Sequence, residues 1–342
     1  METDADKSHY NHPQSGSPTS MDYYWDSYAH FGIHEVMLKD SIRTLSYRMA
    51  IDKNSHLFNE KIVLDVGCGT GILSMFAAKA GAKKVIGVDA SKIIESTREI
   101  IQANGLEDRI TLIQGKIEEI SLPVDQVDII ISEWMGYFLF YESMLSTVIF
   151  ARDKWLAPNG ALFPDKASLY LVGIEDKEYK EEKIDFWDNV YGFDMSCIKK
   201  KAYQDPIVDT VPEEAIVTTA SKLMTVDLKT VQAKDLTWSA NFELIATQKD
   251  SIHAFAAYFD VEFTDCQEQI RFSTAPDQEP THWNQTIFYL KDVLPVNVGE
   301  VIKGKISTTP NAKNFRDLNI SIEYQYEGSI FIVKNVQYYK MR

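Results

Sequence analysis

The chain has 342 residues, 45% hydrophobic and 25% charged, proportions of a soluble globular protein too long for one ordinary core, so two domains are expected. With 50 acidic and 35 basic residues, its net charge of −15 argues against nonspecific nucleic-acid or anionic-membrane binding and favours basic partners. No apolar run is long enough to span a bilayer, no signal-peptide pattern opens the chain, and Cys68, Cys197 and Cys266 are too scattered for a disulfide framework or zinc knuckle, so a reducing interior, cytosol or nucleus, is expected.

Residues 1–20 are nearly devoid of apolar side chains and read as a disordered tail. From Asp22 the chain becomes dense in aromatics, with Tyr23, Tyr24, Trp25, Tyr28 and Phe31, which serve either to complete a core or to fold over a ligand. A helix is predicted over Met37–Ala50, with Asp40 and Arg43 on one face. Next comes KIVLDVGCGTG, a strand running into a glycine-rich turn, then a helix over Ile72–Ala80 capped by Gly81 and a strand ending in Asp89. This is a βαβ nucleotide-type half without a P-loop lysine; Asp89 is placed to accept from both ribose hydroxyls. A third strand, Ile110–Ile113, leads to Glu118, which either accepts from an adenine amino group or is simply solvated.

The fourth strand, Val127–Ile131, delivers ISEWMGYFLFYESML, where Glu133 and Glu142 stand amid Trp134, Met135, Tyr137, Phe138, Phe140 and Tyr141. Carboxylates desolvated by aromatics call for a cation, and guanidinium, planar and permanently charged, pairs with them two bonds at a time. The alternative is a helix-terminus charge and a solvated loop residue. A helix from Ser143 to about Lys154 follows, and Pro158-Asn159-Gly160 breaks to a strand over 161–163. Beyond Asp165 eight alternating segments predict an antiparallel barrel or sandwich: 168–174, 223–228, 242–247, 253–263, 286–290, 301–306, 318–326 and 330–339. Lys177–Tyr203 interrupts them as a projecting amphipathic helical arm of the kind that packs on another copy.

Four stretches in this order, YWDSYAHFGIHEVML, VLDVGCGTG, SEWMGYFLFYESM and Thr281-His282-Trp283, resemble the protein arginine N-methyltransferases, and the resemblance runs from about Asp22 to Arg342. It implies N-terminal helices covering the site (21–50), an α/β Rossmann-like S-adenosylmethionine-dependent methyltransferase domain (51–164) and an antiparallel β-barrel (165–342) with a dimerisation arm at about 177–210. S-adenosylmethionine is the implied donor and S-adenosylhomocysteine the product, with no metal. Carried over position by position, His34, Arg43, Asp65, Gly67, Gly69, Asp89, Glu118 and Met144 hold the donor, with Arg43 on its carboxylate, Asp89 on ribose and Glu118 on adenine. Glu133 and Glu142 grip the substrate guanidinium, Asp40 and His282 form a supporting catalytic pair between domains, and Tyr24 and Tyr28 close over the site. Met37 and Met144 match the methionines of members making asymmetric dimethylarginine, the type I reaction.

The implied partners are arginine/glycine-rich segments and histone tails and a second copy of the chain, with higher oligomers open; direct nucleic-acid or membrane binding is not implied. The implied location is nucleus and cytoplasm. Two positions depart from the pattern: Asp89 stands where near relatives have glutamate, and Trp25 where they have phenylalanine. Of the rival readings, a methyltransferase for another acceptor lacks its proline-containing acceptor segment, a dehydrogenase lacks GxGxxG spacing, and a scaffold has no need of both glutamates.

Overall fold

A computed structural model of the protein describes residues 30–342; the expected tail and the aromatics Tyr24, Trp25 and Tyr28 lie outside the described residues. Where the pattern predicts one helix over Met37–Ala50 there are two, α1 (Phe31–Lys39) and α2 (Ser41–Lys53). The break falls at Asp40, whose extended backbone (φ −65°, ψ 94°) lets its carboxylate accept from the Arg43 amide at 2.9 Å as the cap of α2. From there α2 buries Arg43, Ser46, Tyr47, Ala50 and Ile51, a single stripe at helical spacing. A short α3 (Ser55–Phe58) follows.

Strands and helices then alternate: β1 (Ile62–Val66), α4 (Ile72–Lys79), β2 (Lys84–Asp89), α5 (Ile93–Ala103), β3 (Ile110–Gln114), β4 (Val127–Ile131), α6 (Leu145–Trp155) and β5 (Leu156–Phe163). The strands form a parallel sheet in the order β3-β2-β1-β4-β5. Their nearly unbroken apolar runs follow from burial on both faces. Strand order reverses between β1 and β4, so a crevice opens beyond the carboxyl ends of these two strands. Ser132 Oγ pins those ends together by donating to the Val66 carbonyl at 2.8 Å. Pro158-Asn159-Gly160 does not precede β5 as expected but lies within it; the strand absorbs the turn as a register shift against β4.

Past the cis Phe163–Pro164 peptide come β6 (Lys166–Ile174), β7 (Ile207–Asp209), β8 (Ser221–Asp227), β9 (Trp238–Ile245), β10 (Asp250–Phe263), β11 (Ile270–Ser273), β12 (Gln285–Val296), β13 (Val301–Pro310), β14 (Leu318–Glu327) and β15 (Ile332–Met341). Every predicted strand is present; β7 and β11, at 3 and 4 residues, are too short to leave an alternating signature. They form two antiparallel sheets, β7-β12-β10-β6-β8 with β11 on β10, and β15-β14-β13-β9. Gln337 Nε2 and the Tyr339 hydroxyl on β15 donate to the Tyr289 carbonyl on β12, at 3.2 and 3.0 Å, and the Thr218–Ala246 bridge links the sheets near β8 and β9, closing a barrel.

The arm is not the single helix expected. It is a chain of short pieces, Lys177–Tyr179, Lys180–Ile184, Asp185–Asp188 and α7 (Ser196–Ala202), interrupted where Tyr191 and Gly192 take positive φ (52° and 91°). Among the described residues no helix is long and apolar enough to cross a membrane.

The two halves are joined through α2. Asn54, fully buried at its end, donates to the Glu268 carbonyl at 2.8 Å and accepts from the Glu268 amide at 2.9 Å, while Tyr47 packs edge-on against Phe263. Replacing Asn54 strips partners from buried backbone groups. Asn54→Ala is therefore expected to lower the unfolding free energy by about 1–3 kcal/mol; a urea titration giving less than about 0.5 kcal/mol, the usual range for surface changes, contradicts this joint.

Candidate active site

A cleft of about 650 Å³ occupies the switch point, walled by α1, the β1 turn, the ends of β2, β3 and β4, and the barrel residues His282, Trp283, Phe315 and Arg316. Its floor is the glycine turn. Gly67, Gly69 and Gly71 have φ of 72°, 51° and 80°, a region other residues avoid. Space is tight as well: a Cβ on Gly67 would lie 2.5 Å from Met144 Cε, so that side chain would have to move, and one on Gly69 would lie 3.2 Å from the His34 ring. Backbone is thus exposed to a ligand between two close-packed side chains, His34 and Met144, that also line the cleft.

Asp89 sits on the wall with its carboxylate already oriented, accepting from the Gly69 amide at 2.9 Å, the Ser91 amide at 2.8 Å and Ser91 Oγ at 2.7 Å. That leaves room for about one further donor, where sequence reasoning expects two ribose hydroxyls. Glu118, also on the wall, accepts from Thr147 Oγ1 at 2.9 Å. Asp65 is a correction: it does not line the cleft but is fully buried behind the turn, with Oδ2 accepting from Ser74 Oγ of α4 at 2.6 Å and Oδ1 unpartnered. Burial on both faces of β1 hides from the sequence which way each side chain points.

The double-glutamate loop is held from the barrel. Phe138 packs on Phe288 and Trp238, Phe140 on Trp238, and Trp283 Nε1 donates to the Met135 carbonyl at 3.2 Å. The loop folds back so tightly that a Cβ on Gly136 would lie 1.6 Å from the Tyr141 carbonyl oxygen, and Phe138, Leu139 and Glu142 all take positive φ. Both glutamates reach the cleft, as does Met37.

They are not equivalent. Glu133 Oε2 is held by Arg43, through Nε at 3.0 Å and Nη2 at 2.9 Å, and both side chains are 8% exposed. A buried glutamate needs a cation, and Arg43, which also lines the cleft, is the one α2 turns inward. Glu133 Oε1 is buried without a hydrogen-bond partner, an acceptor left unsatisfied. Burial pushes the Glu142 carboxyl above its ordinary range, against the pull of Arg316 and of a hydrogen bond from Tyr141. Burial, reinforced by Glu142, likewise keeps the Tyr137 and Tyr141 hydroxyls protonated.

His282 lines the cleft and its Nδ1 lies 2.7 Å from Asp40 Oδ2, which also accepts from the His282 amide at 2.9 Å. Asp40 itself is behind the wall. Burial pushes its carboxyl up, but hydrogen bonds from His282 and the Arg43 amide outweigh this and leave it below the usual range. An ionised Asp40 only accepts, so Nδ1 carries the proton and the other ring nitrogen is left unprotonated in the neutral tautomer. Sequence reasoning missed Phe315, Arg316 and Thr147, which nothing in their local pattern marks, and gave no role to Trp283 within the Thr281-His282-Trp283 stretch. Tyr24 and Tyr28 lie outside the described residues. Burial pushes the Cys68 thiol well up, so it is no ready nucleophile. Among the described residues no group of three or more side chains could hold a metal ion.

Residues 165–329 match the arginine methyltransferase oligomerization subdomain, and residues 63–160 a methyltransferase domain. The chain is 56% identical over 342 residues to protein arginine N-methyltransferase 1 of Chlamydomonas reinhardtii, covering 100% of this chain and 99% of that one. It is 59% identical over 308 residues to protein arginine N-methyltransferase 1 of Schizosaccharomyces pombe, covering 90% and 91% respectively. Among solved structures, the Trypanosoma brucei PRMT1 enzyme-prozyme heterotetrameric complex with AdoHcy is similar at a TM-score of 0.91 and 50% identity, over 93% of this chain and 100% of that one. Arabidopsis thaliana protein arginine methyltransferase 10 is similar at 0.85 and 30% identity, over 93% and 100%.

Burial pushes the Asp65 carboxyl from 3.8 up to about 7, although hydrogen bonds from Ser74 pull it down. The folded protein therefore retains a proton that the unfolded chain releases from about pH 4 upward. This contribution to stability is present below that pH and lost as pH rises to about 7. Urea titrations of donor-free protein are expected to show wild type losing stability relative to Asp65→Asn across that window; a gain relative to the variant contradicts the assignment.

Proposed function

Because the chain belongs to the protein arginine N-methyltransferase family, and so transfers methyl groups from S-adenosylmethionine to arginine in proteins, we propose that the cleft performs this reaction with the following division of labour. The glycine turn, His34, Met144, Asp89 and Glu118 hold the donor: a backbone cradle that a Cβ would fill and oriented acceptors at two strand ends fit such a ligand. The AdoHcy named with the Trypanosoma brucei relative supports the same assignment.

An arginine side chain is protonated at neutral pH, its charge spread over three nitrogens, and attacks poorly. Glu133, with Oε2 fixed on Arg43, offers Oε1, and Glu142 offers the second carboxylate. Together they bind the substrate guanidinium and draw its charge toward the nitrogens they hold, leaving lone-pair density on the remaining one. S-adenosylmethionine supplies the methyl group: a nitrogen–carbon bond forms, the sulfur–carbon bond breaks with its electron pair going to sulfur, and the nitrogen loses a proton. His282, oriented by Asp40, takes that proton on the ring nitrogen facing away from the aspartate. Positioning and fixed charge supply most of the acceleration. The observation that carries this reading is the orphaned, buried Glu133 Oε1 in the same cleft as Glu142.

Met37 and Met144 line the cleft, at the positions that match members making asymmetric dimethylarginine, so the products are mono- and asymmetric dimethylarginine, the type I outcome. The net charge of −15 suits arginine/glycine-rich RNA-binding proteins and histone tails as substrates, and substrates of that kind support a location in nucleus and cytoplasm. The functional unit is a homodimer built through the arm, where Tyr191 and Phe193 are 95% and 69% exposed in the isolated chain.

Glu142→Gln leaves the charge-matched site half neutral. With labelled donor and an arginine/glycine-rich peptide it is expected to turn over about 100-fold more slowly or worse while still binding S-adenosylhomocysteine; mass spectrometry of the wild-type product should show asymmetric dimethylarginine. Near-normal turnover by the variant, or exclusively symmetric product, contradicts the reading.

A further inference from the structure

Glu142 is a non-glycine residue with φ of +56°, a conformation that persists only where the surroundings enforce it. Part of that enforcement comes from the barrel. The turn between β13 and β14 brings Phe315 and Arg316 to the cleft wall. The Glu142 amide donates to the Arg316 carbonyl at 3.1 Å, and Arg316 Nη1 donates to the Glu142 carbonyl at 3.4 Å. Arg316 is 7% exposed, with its guanidinium carbon 5.4 Å from the Phe315 ring centroid. The turn is tied by Asn311 N to the Asp317 carbonyl at 2.8 Å and Asn314 Nδ2 to Asp317 Oδ1 at 2.7 Å.

We propose that Arg316 is a positioning residue for methyl transfer: by bonding both main-chain groups of Glu142, its N–H and its C=O, from a hydrogen-bonded barrel turn, it aims the second carboxylate into the cleft and stands beside it as a fixed positive charge. This rests on the reading that Glu142 binds the substrate guanidinium. Each carboxylate then has an arginine from a different element, but the two are used differently. Arg43 bonds a carboxylate oxygen of Glu133 directly. Arg316 spends Nη1 on the Glu142 backbone carbonyl instead, so the carboxylate can meet a second guanidinium.

Among the described residues, the charged and titratable groups facing Glu142 are Tyr137 and Tyr141 from its own loop and Arg316 and Asp317 from the barrel turn. Burial raises the Glu142 carboxyl, Asp317 raises it further, and Arg316 with the Tyr141 hydroxyl opposes them. Loss of the arginine charge lets Glu142 keep its proton to higher pH, and a protonated Glu142 cannot hold a cation. The effect is therefore largest at the acid end of the pH profile, and alkaline pH restores part of the rate. A purely structural role moves neither.

The test is kcat/KM for an arginine/glycine-rich peptide as a function of pH in Arg316→Gln, Arg316→Lys, Glu142→Gln and the double Gln variant, with S-adenosylhomocysteine binding measured alongside. Arg316→Gln should bind S-adenosylhomocysteine normally, lose about 10–100-fold in kcat/KM at neutral pH, and show its acid limb moved to higher pH. Arg316→Lys, which keeps the charge without the planar fork, should keep the wild-type acid limb and still lose kcat/KM. Because Arg316 acts through Glu142, the double variant should be no slower than Glu142→Gln. A wild-type rate and acid limb in Arg316→Gln, beside an inactive Glu142→Gln, overturns this inference alone; an active Glu142→Gln overturns the underlying reading. If Arg316→Gln does not fold, wild-type kcat/KM in Arg316→Lys overturns the inference.

Discussion

The ion pair between Arg43 and Glu133 is the contact on which the site depends. A carboxylate shut away beside Trp134 and Met135 stays charged only with a cation against it, and removing one partner of such a pair costs about 3–5 kcal/mol. To supply the cation, Arg43 must lie on the buried stripe of α2, and α2 must begin where it does. Asp40 sets that start as the helix cap, and the same carboxylate fixes His282 from the barrel. One residue therefore sets the helix phase, turns Arg43 inward and orients a candidate proton acceptor. Farther along α2, Tyr47 and Asn54 bind the barrel, so the helix is the rod that holds sheet, loop and barrel in register.

The two glutamates divide the electrostatic work through their surroundings. Glu133 has half its acceptor capacity committed to Arg43 and presents one buried oxygen. Glu142 is aimed by backbone bonds and its carboxylate meets only the Tyr141 hydroxyl and the nearby Arg316 charge, while burial raises it above its ordinary range. A site with two fully ionised, unpaired carboxylates would repel itself and stay hydrated; a site with both firmly paired would have nothing to offer a substrate. The asymmetry leaves a net attraction for one planar cation.

Much of this was legible in the sequence because it is local. VLDVGCGTG shows a turn needing glycine, the apolar run before Glu133 shows a strand ending at a ligand edge, and period-two alternation marks the barrel strands. What was hidden depends on partners far apart in the chain or on short pieces. Periodicity puts Arg43 on a face but does not say that Glu133, 90 residues on, will meet it. Asp65 lies on a strand buried on both sides, where alternation carries no directional signal. Asp40 reads as one more helical residue until its capping bond is seen. The arm's apolar spacing looks helical, yet Tyr191 and Gly192 turn the backbone through positive φ. Arg316 sits in the polar stretch NAKNFRDL, where no local feature separates it from a solvated loop.

The most direct measurement of the central claim is a crystal structure of the enzyme with S-adenosylhomocysteine and an arginine-containing peptide. The substrate guanidinium should lie between Glu133 Oε1 and the Glu142 carboxylate, with Arg43 still bonded to Glu133 Oε2. A guanidinium bound elsewhere, or an Arg43 that has left Glu133, would contradict it.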